Sequence, residues 1–274
     1  MTSSISGSLT WFEEWMMYLE LVNGKTWTRF EDIRSMYHLD ESQKNIFYKI
    51  FDEKIKLMKK CRDSWPAYAF HKEDVELRGE KWNLKYGNKR TGMLDDTDGL
   101  FTFKPSTAIN QRRTWSSYYA ANCAKGGVFL QYCGWMRVIE YYPGAISDSL
   151  YVKKSGLLNE LKTFAQNDLV DGEYLPFSLI LDKGYRIIRL AWEAGKMECI
   201  QPIFSDSDRR FSSDEMLVSA TVAADRSGNE RAVRYSKLSG YIKRGMKPNG
   251  RASRFNDVWL CWSFQTNFMF ASVV

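Results

Sequence analysis

The sequence predicts an α/β protein: a mixed five-stranded sheet flanked by helices, preceded by an all-helical segment. Three observations predict it. Short apolar runs bounded by glycine, proline and acidic residues recur between positions 91 and 204. Helical stretches separate the later runs, as crossovers between parallel strands require. Apolar residues at helical spacing fill much of the first 64 positions.

Taken in order, Leu9, Trp11, Trp15, Met16, Leu19 and Leu21 place a helix over residues 8–22, ended by Gly24. A second apolar pattern runs from Phe30 through Ile33 and Met36, breaks over residues 37–42, and resumes from Ile46 to Met58. Helix, short turn, helix is the outline of a helix-turn-helix DNA reader, and equally of a packing subdomain. Residues 1–64 therefore form a helical subdomain, and Ser64-Trp65-Pro66 opens a polar connector over 65–90. The remaining 91–274 make the sheet domain with its C-terminal helix.

Within that domain, residues 91–97 suit a short strand ending in acids. Gly126-Gly127, then 128–132, a turn at Cys133-Gly134, and 135–142 read as a hairpin. Ser147 or Asp148 caps a helix through about Phe164. Residues 177–181 (FSLIL) suit a strand buried on both faces. A short helix over 186–194 stops at Gly195, and 197–204 is an edge strand because it contains Pro202. Ser212 to Glu215 is a capping box opening the last long helical stretch, interrupted at Gly228. Strand, hairpin, helix, strand, helix, strand, helix is the element order of the RNase H-like fold. In that topology the strands ending at Asp95 and Asp182 lie side by side, about 4.8 Å apart.

Composition narrows the chemistry. The two histidines, His38 and His71, both fall in the first third, which disfavours a Ser-His-Asp hydrolase or a histidine-rich metal site. Five scattered cysteines without a C-x-x-C pair suggest free thiols in a reducing compartment. The start lacks the pattern of a secretory signal, and the apolar stretch 258–274 carries too many polar residues for a bilayer span. Net charge is +6, yet residues 224–254 alone hold nine basic against two acidic side chains. Such a run is a solvated helix face or a phosphate-binding surface.

If there is chemistry, carboxylates carry it. Asp95, Asp182 and Glu230 come from separate elements in that order, as a two-metal phosphodiester site requires. Each has a plainer role to weigh. Asp182 suits a turn into Gly184, Asp96 competes with Asp95, and Glu230 stands four residues from both Arg226 and Arg234, the spacing of helix ion pairs. Asp148 reads as an N-cap. Trp115, Tyr118 and Tyr119 are expected in the core, with stacking on an unpaired base as the other role for such rings. Candidate phosphate contacts are Arg112, Arg113, Arg226, Arg231, Lys237, Lys243 and Arg244.

Several short motifs in one order resemble the DDE superfamily endonucleases of PIF/Harbinger-type transposases. They are Asp95-Asp96-Thr97, the run Pro143-Gly144-Ala145-Ile146-Ser147-Asp148, Asp182-Lys183-Gly184-Tyr185, Gln201-Pro202, Phe211-Ser212, Arg226 through Glu230-Arg231, and Lys237. The resemblance runs from Leu9 onward and is densest between Gly92 and Met269. It implies a nuclear DNA transposase with Asp95, Asp182 and Glu230 as catalytic metal ligands for two Mg²⁺ or Mn²⁺ ions. It also implies DNA ends and target DNA as substrates, a Myb-like DNA-binding partner, and N-terminal helices corresponding to the helix-turn-helix region. A homo-oligomer is compatible with it. The competing expectation is a transposase-derived DNA-binding protein without catalysis.

Overall fold

The computed structural model describes residues 9–23, 30–101, 103–204, 210–243, 245 and 252–269. Its centre is a mixed sheet built on β1 (Arg90–Leu100). On one side β1 pairs antiparallel with β3 (Ala121–Gln131), which pairs antiparallel with β4 (Met136–Pro143). On the other side β1 runs parallel to β5 (Phe177–Leu181), and β5 parallel to β6 (Glu198–Ile200). A two-residue strand, β2 (Trp115–Ser116), pairs with the first residues of β3. The order β4-β3-β1-β5-β6 makes β1 the central strand.

Side-chain alternation assigns each sheet face its own core. Met93, Val128, Leu130 and Ile180 face one layer, while Leu94, Phe129, Leu179 and Leu181 face the other. The first layer holds α10 (Ser213–Ser236), α11 (Gly240–Lys243) and α12 (Ala252–Met269), with α1 (Trp11–Asn23), α2 (Phe30–Tyr37) and α3 (Lys44–Ser64) packed beyond them. The second layer holds α7 (Asp148–Ser155), α8 (Leu157–Asn167) and α9 (Ile188–Gly195). Burial on both faces explains why β5 reads as an unbroken apolar run.

The N-terminal helices share the first core with the sheet. Phe47, Ile50, Phe51 and Ile55 of α3 are buried there. Asp52 accepts a two-pronged bond from Arg254 at 2.9 and 2.7 Å, and Lys59 pairs with Asp257 at 2.7 Å, so α3 is pinned along α12. Glu14 and Lys54 form a buried ion pair at 3.0 Å between α1 and α3. Asp40 caps the turn that follows α2, with its own capping box. The C-terminal helix is buried along Val258 to Trp262, as its apolar sequence suggests.

Several expectations are revised. The stretch 65–90 contains two short helices, α4 (His71–Leu77) and α5 (Glu80–Tyr86), held by buried Asp74 and Arg78. A further helix, α6 (Ala108–Thr114), is capped by Thr107 in a region where no helix was expected. The helix expected over 148–164 is two helices, because Gly156 adopts φ 73°, a left-handed turn that ends α7 and starts α8. Ser147 accepts the capping bond from Leu150 N–H at 3.4 Å, so Asp148 is the first helical residue and not the cap. The last long helix is continuous through Gly228, which is buried against neighbouring elements. β6 keeps only three residues ahead of Pro202, at the sheet edge.

Candidate active site

β1 extends to Leu100, so its acids lie inside the strand and not at its end. The parallel ladder with β5 stops where Leu94 meets Leu181. Asp95 and Asp182 are the next residues of their strands and stand side by side. Asp95 shares the face of Met93, turned towards α10, whereas Asp96 shares the face of Leu94, turned towards α7. Alternation thereby separates the two members of the acidic doublet. Asp95 stands with Asp182; Asp96 does not.

α10 is anchored from below. Asp225 is buried and accepts from Lys85 and, at 2.5 Å, from the Tyr86 hydroxyl of α5. Asn229, one turn on, is buried with its amide 3.5 Å from the Val128 carbonyl. This anchoring sets the neighbouring stripe, Arg226, Glu230, Val233 and Lys237, at the spacing of one helix face. Arg226 reaches both aspartates, 3.6 Å from Asp95 and 3.3 Å from Asp182. Its Nε is buried without a partner.

Glu230 is exposed, and among the described residues it makes no ion pair with Arg226 or Arg234. Burial raises the Asp95 carboxyl above its ordinary value; Arg226 pulls it back, and the charges of Asp182 and Glu230 push it up further. Lys237 is half-buried, and burial lowers its ammonium while Asp98, Asp95 and Asp96 act the other way. Asp95, Asp182, Glu230, Arg226 and Lys237 thus form one electrostatic unit. Among the described residues, no group of three Asp, Glu, His or Cys side chains is close enough to hold a metal ion. The Arg226 guanidinium bridges the aspartates instead.

A second acidic cluster lies on the opposite face. Lys125 is 3.2 Å from Asp96 and 2.5 Å from Asp148. Burial raises the Asp96 carboxyl to about 7, Lys125 opposes that shift, and Asp148 adds to it. A Cβ at Gly184 would stand 2.8 Å from Asp148 Oδ2, so glycine admits this carboxylate beside the loop after Asp182. Lys125 carried no signal in the sequence, because its partners are 29 and 23 residues away in the chain: Asp96 meets it through the β1–β3 ladder and Asp148 through the packing of α7 on the sheet.

The expected phosphate contacts separate into groups. Arg112, Arg113, Arg231 and Lys243 are exposed, whereas Arg226 and Lys237 are turned to the acids. Arg244 lies outside the described residues. Arg254, part of the basic run, is held by Asp52. Trp115, Tyr118 and Tyr119 are exposed and not in the core. The tight turn before β3 accounts for this, since Ala120 adopts φ 48° and the preceding tyrosines stand outside the sheet.

No helix among the described residues is long and apolar enough to cross a membrane. Comparison with protein-family models, curated proteins and solved structures finds no match to this chain.

Proposed function

We propose that this protein is a metal-dependent DNA endonuclease of the DDE transposase type, built on an RNase H-like sheet. The observation that carries the reading is the Leu94–Leu181 register, which sets Asp95 beside Asp182 beneath the Glu230 stripe of α10. The strand order β4-β3-β1-β5-β6, with only β5 and β6 parallel to β1, supports it.

The donor set suits a hard cation: carboxylate oxygens, mutually repelling, with one carboxyl raised by burial and relieved by a single guanidinium. Asp95 and Asp182 stand together on Arg226, and with Glu230 they would hold Mg²⁺ or Mn²⁺. Bound there, such ions supply an activated oxygen nucleophile and stabilise the departing oxygen of a phosphodiester. Arg226 holds the two aspartates together, and its guanidinium would pair with a substrate phosphate if a cation took its place between them. Exposed Arg231 and Lys243 track the DNA backbone. A nuclear setting, a Myb-like partner and a homo-oligomeric assembly belong to the same reading.

Asp182→Asn tests it. Asp182 is half-exposed and outside the sheet ladder, so the variant folds. Cleavage of DNA is lost while DNA binding remains; retained cleavage sinks the assignment.

The bridging position of Arg226 favours a second reading, a DNA-binding protein in which the guanidinium permanently satisfies both aspartates. Under that reading DNA binding ignores Mg²⁺, and no cleavage occurs in the wild type.

A further inference from the structure

At the far end of β1 the chain builds an open groove of about 860 Å³. Phe101 and Phe103 form one wall, their rings parallel with centroids 5.4 Å apart. Trp115 and Arg112 line the groove with them. Trp115 is 48% exposed, and the turn that leads from it to the lining residue Ala120 carries Tyr118, 85% exposed, and Tyr119, 44% exposed. Large apolar rings left in water at this density mark a surface that binds something.

Charge says what it binds. Lys104, Arg112 and Arg113 are exposed around the rings, and none forms an ion pair within the described residues. Basic side chains interleaved with flat aromatic faces match a single nucleic-acid strand, whose bases stack on the rings while its phosphates meet the cations. A stacked duplex offers no free base face to these rings. Position agrees with this. Phe101 directly follows β1 at an even interval from Asp95, and it packs against the core on the face turned towards α10 and α12. The step of six positions from Asp95 to Phe101 covers roughly 20 Å of extended chain.

We propose that this groove binds an unpaired segment of the DNA strand that reaches the Asp95–Asp182 site. The assignment rests on the nuclease reading for its biological substrate, but the groove acts by stacking and charge alone. Trp115 and Tyr118 hold bases, and Arg112 holds the adjoining phosphate.

The test is binding of a fluorescent oligothymidine and of a blunt duplex to the full chain in EDTA. Wild type is compared with Trp115→Ala, Tyr118→Ala and Tyr118→Phe, each checked for an unchanged circular dichroism melt. Trp115→Ala and Tyr118→Ala should each weaken oligothymidine binding at least about fivefold. Tyr118→Phe, which keeps the ring, should bind like the wild type, and duplex affinity should stay constant throughout. Equal oligothymidine affinity in all variants overturns the proposal. So does a parallel loss on the duplex, which would make the groove a general phosphate surface. Binding is read in EDTA and cleavage separately in Mg²⁺ or Mn²⁺, so a ring-dependent preference for single strands in a protein that does not cleave with either ion supports the groove and sinks the nuclease reading. Cleavage without ring dependence does the reverse.

Discussion

Asp95 and Asp182 stand side by side one residue beyond the last rung of a parallel ladder, and a single guanidinium, Arg226, spans them. Asp95 is held by backbone pairing with Val128 in the sheet, and Asp182 directly follows the paired strand β5. Arg226 is a long side chain on the covering helix, which a competing cation can displace. That asymmetry governs how the site responds to substitution.

Removing the guanidinium exposes it first. Arg226→Ala should destabilise the metal-free protein by about 1–3 kcal/mol, because the partly buried Asp95 carboxylate loses its partner. Mg²⁺ should then raise the melting temperature of the variant more than that of the wild type. Thermal denaturation with and without Mg²⁺ measures both, and an Mg²⁺ response equal to the wild type's would show that Arg226 and cation do not share a place.

Asp96 should dominate the pH dependence of stability at mildly acid pH. Burial raises its folded value to about 7 from an ordinary 3.8, so the folded state keeps a proton that the unfolded chain has released. Stability from this group is complete below the unfolded value and is lost as pH rises through the folded one. The wild type should therefore weaken between about pH 4 and pH 7, and Asp96→Asn should flatten that slope. Urea midpoints across the range decide it. An unchanged slope would place the proton elsewhere.

Trp259 is fully buried, and its indole N–H donates to the Ile139 carbonyl at 3.1 Å, tying α12 to β4. Trp259→Ala should cost about 3–5 kcal/mol, through lost packing and the cavity left behind. A loss near zero in a chemical denaturation series would mean that α12 does not cap the sheet.

Lys243 sits exposed beyond α10. If it meets a phosphate, Lys243→Ala should weaken duplex binding uniformly across sequences and reduce the salt slope by about one. Affinities measured over a range of salt give the slope directly. No change would remove Lys243 from the DNA-binding surface.

Much of the sheet was legible because its cores leave clean local patterns. Residues 177–181 form β5 as read, since burial on both faces leaves no polar position to mislead. The capping box at Ser212 and Glu215 opens α10 where the sequence places it. What remained hidden depends on partners distant in sequence. Acids inside β1 read as a strand end, yet the antiparallel ladder with β3 carries the strand on to Leu100 opposite Cys123. Gly228 reads as a helix break, but α10 lies in a packed layer that fixes it. Trp115, Tyr118 and Tyr119 carry the composition of a core and were placed there. Only the turn at Ala120 shows that they face water. For the site, Asp95 and Asp182 were legible as neighbours, whereas the bridge by Arg226 and the Lys125–Asp148 pair were not. Both arise from tertiary packing of helices onto the sheet.

The most direct measurement is nicking of supercoiled plasmid in Mg²⁺ or Mn²⁺ by the wild type and by an identically prepared Glu230→Gln variant. Glu230 is exposed, so the exchange leaves the fold intact. The account predicts metal-dependent nicking by the wild type and none by the variant, with both still binding DNA. Equal nicking by the two proteins, or none by a wild type that binds DNA, contradicts it.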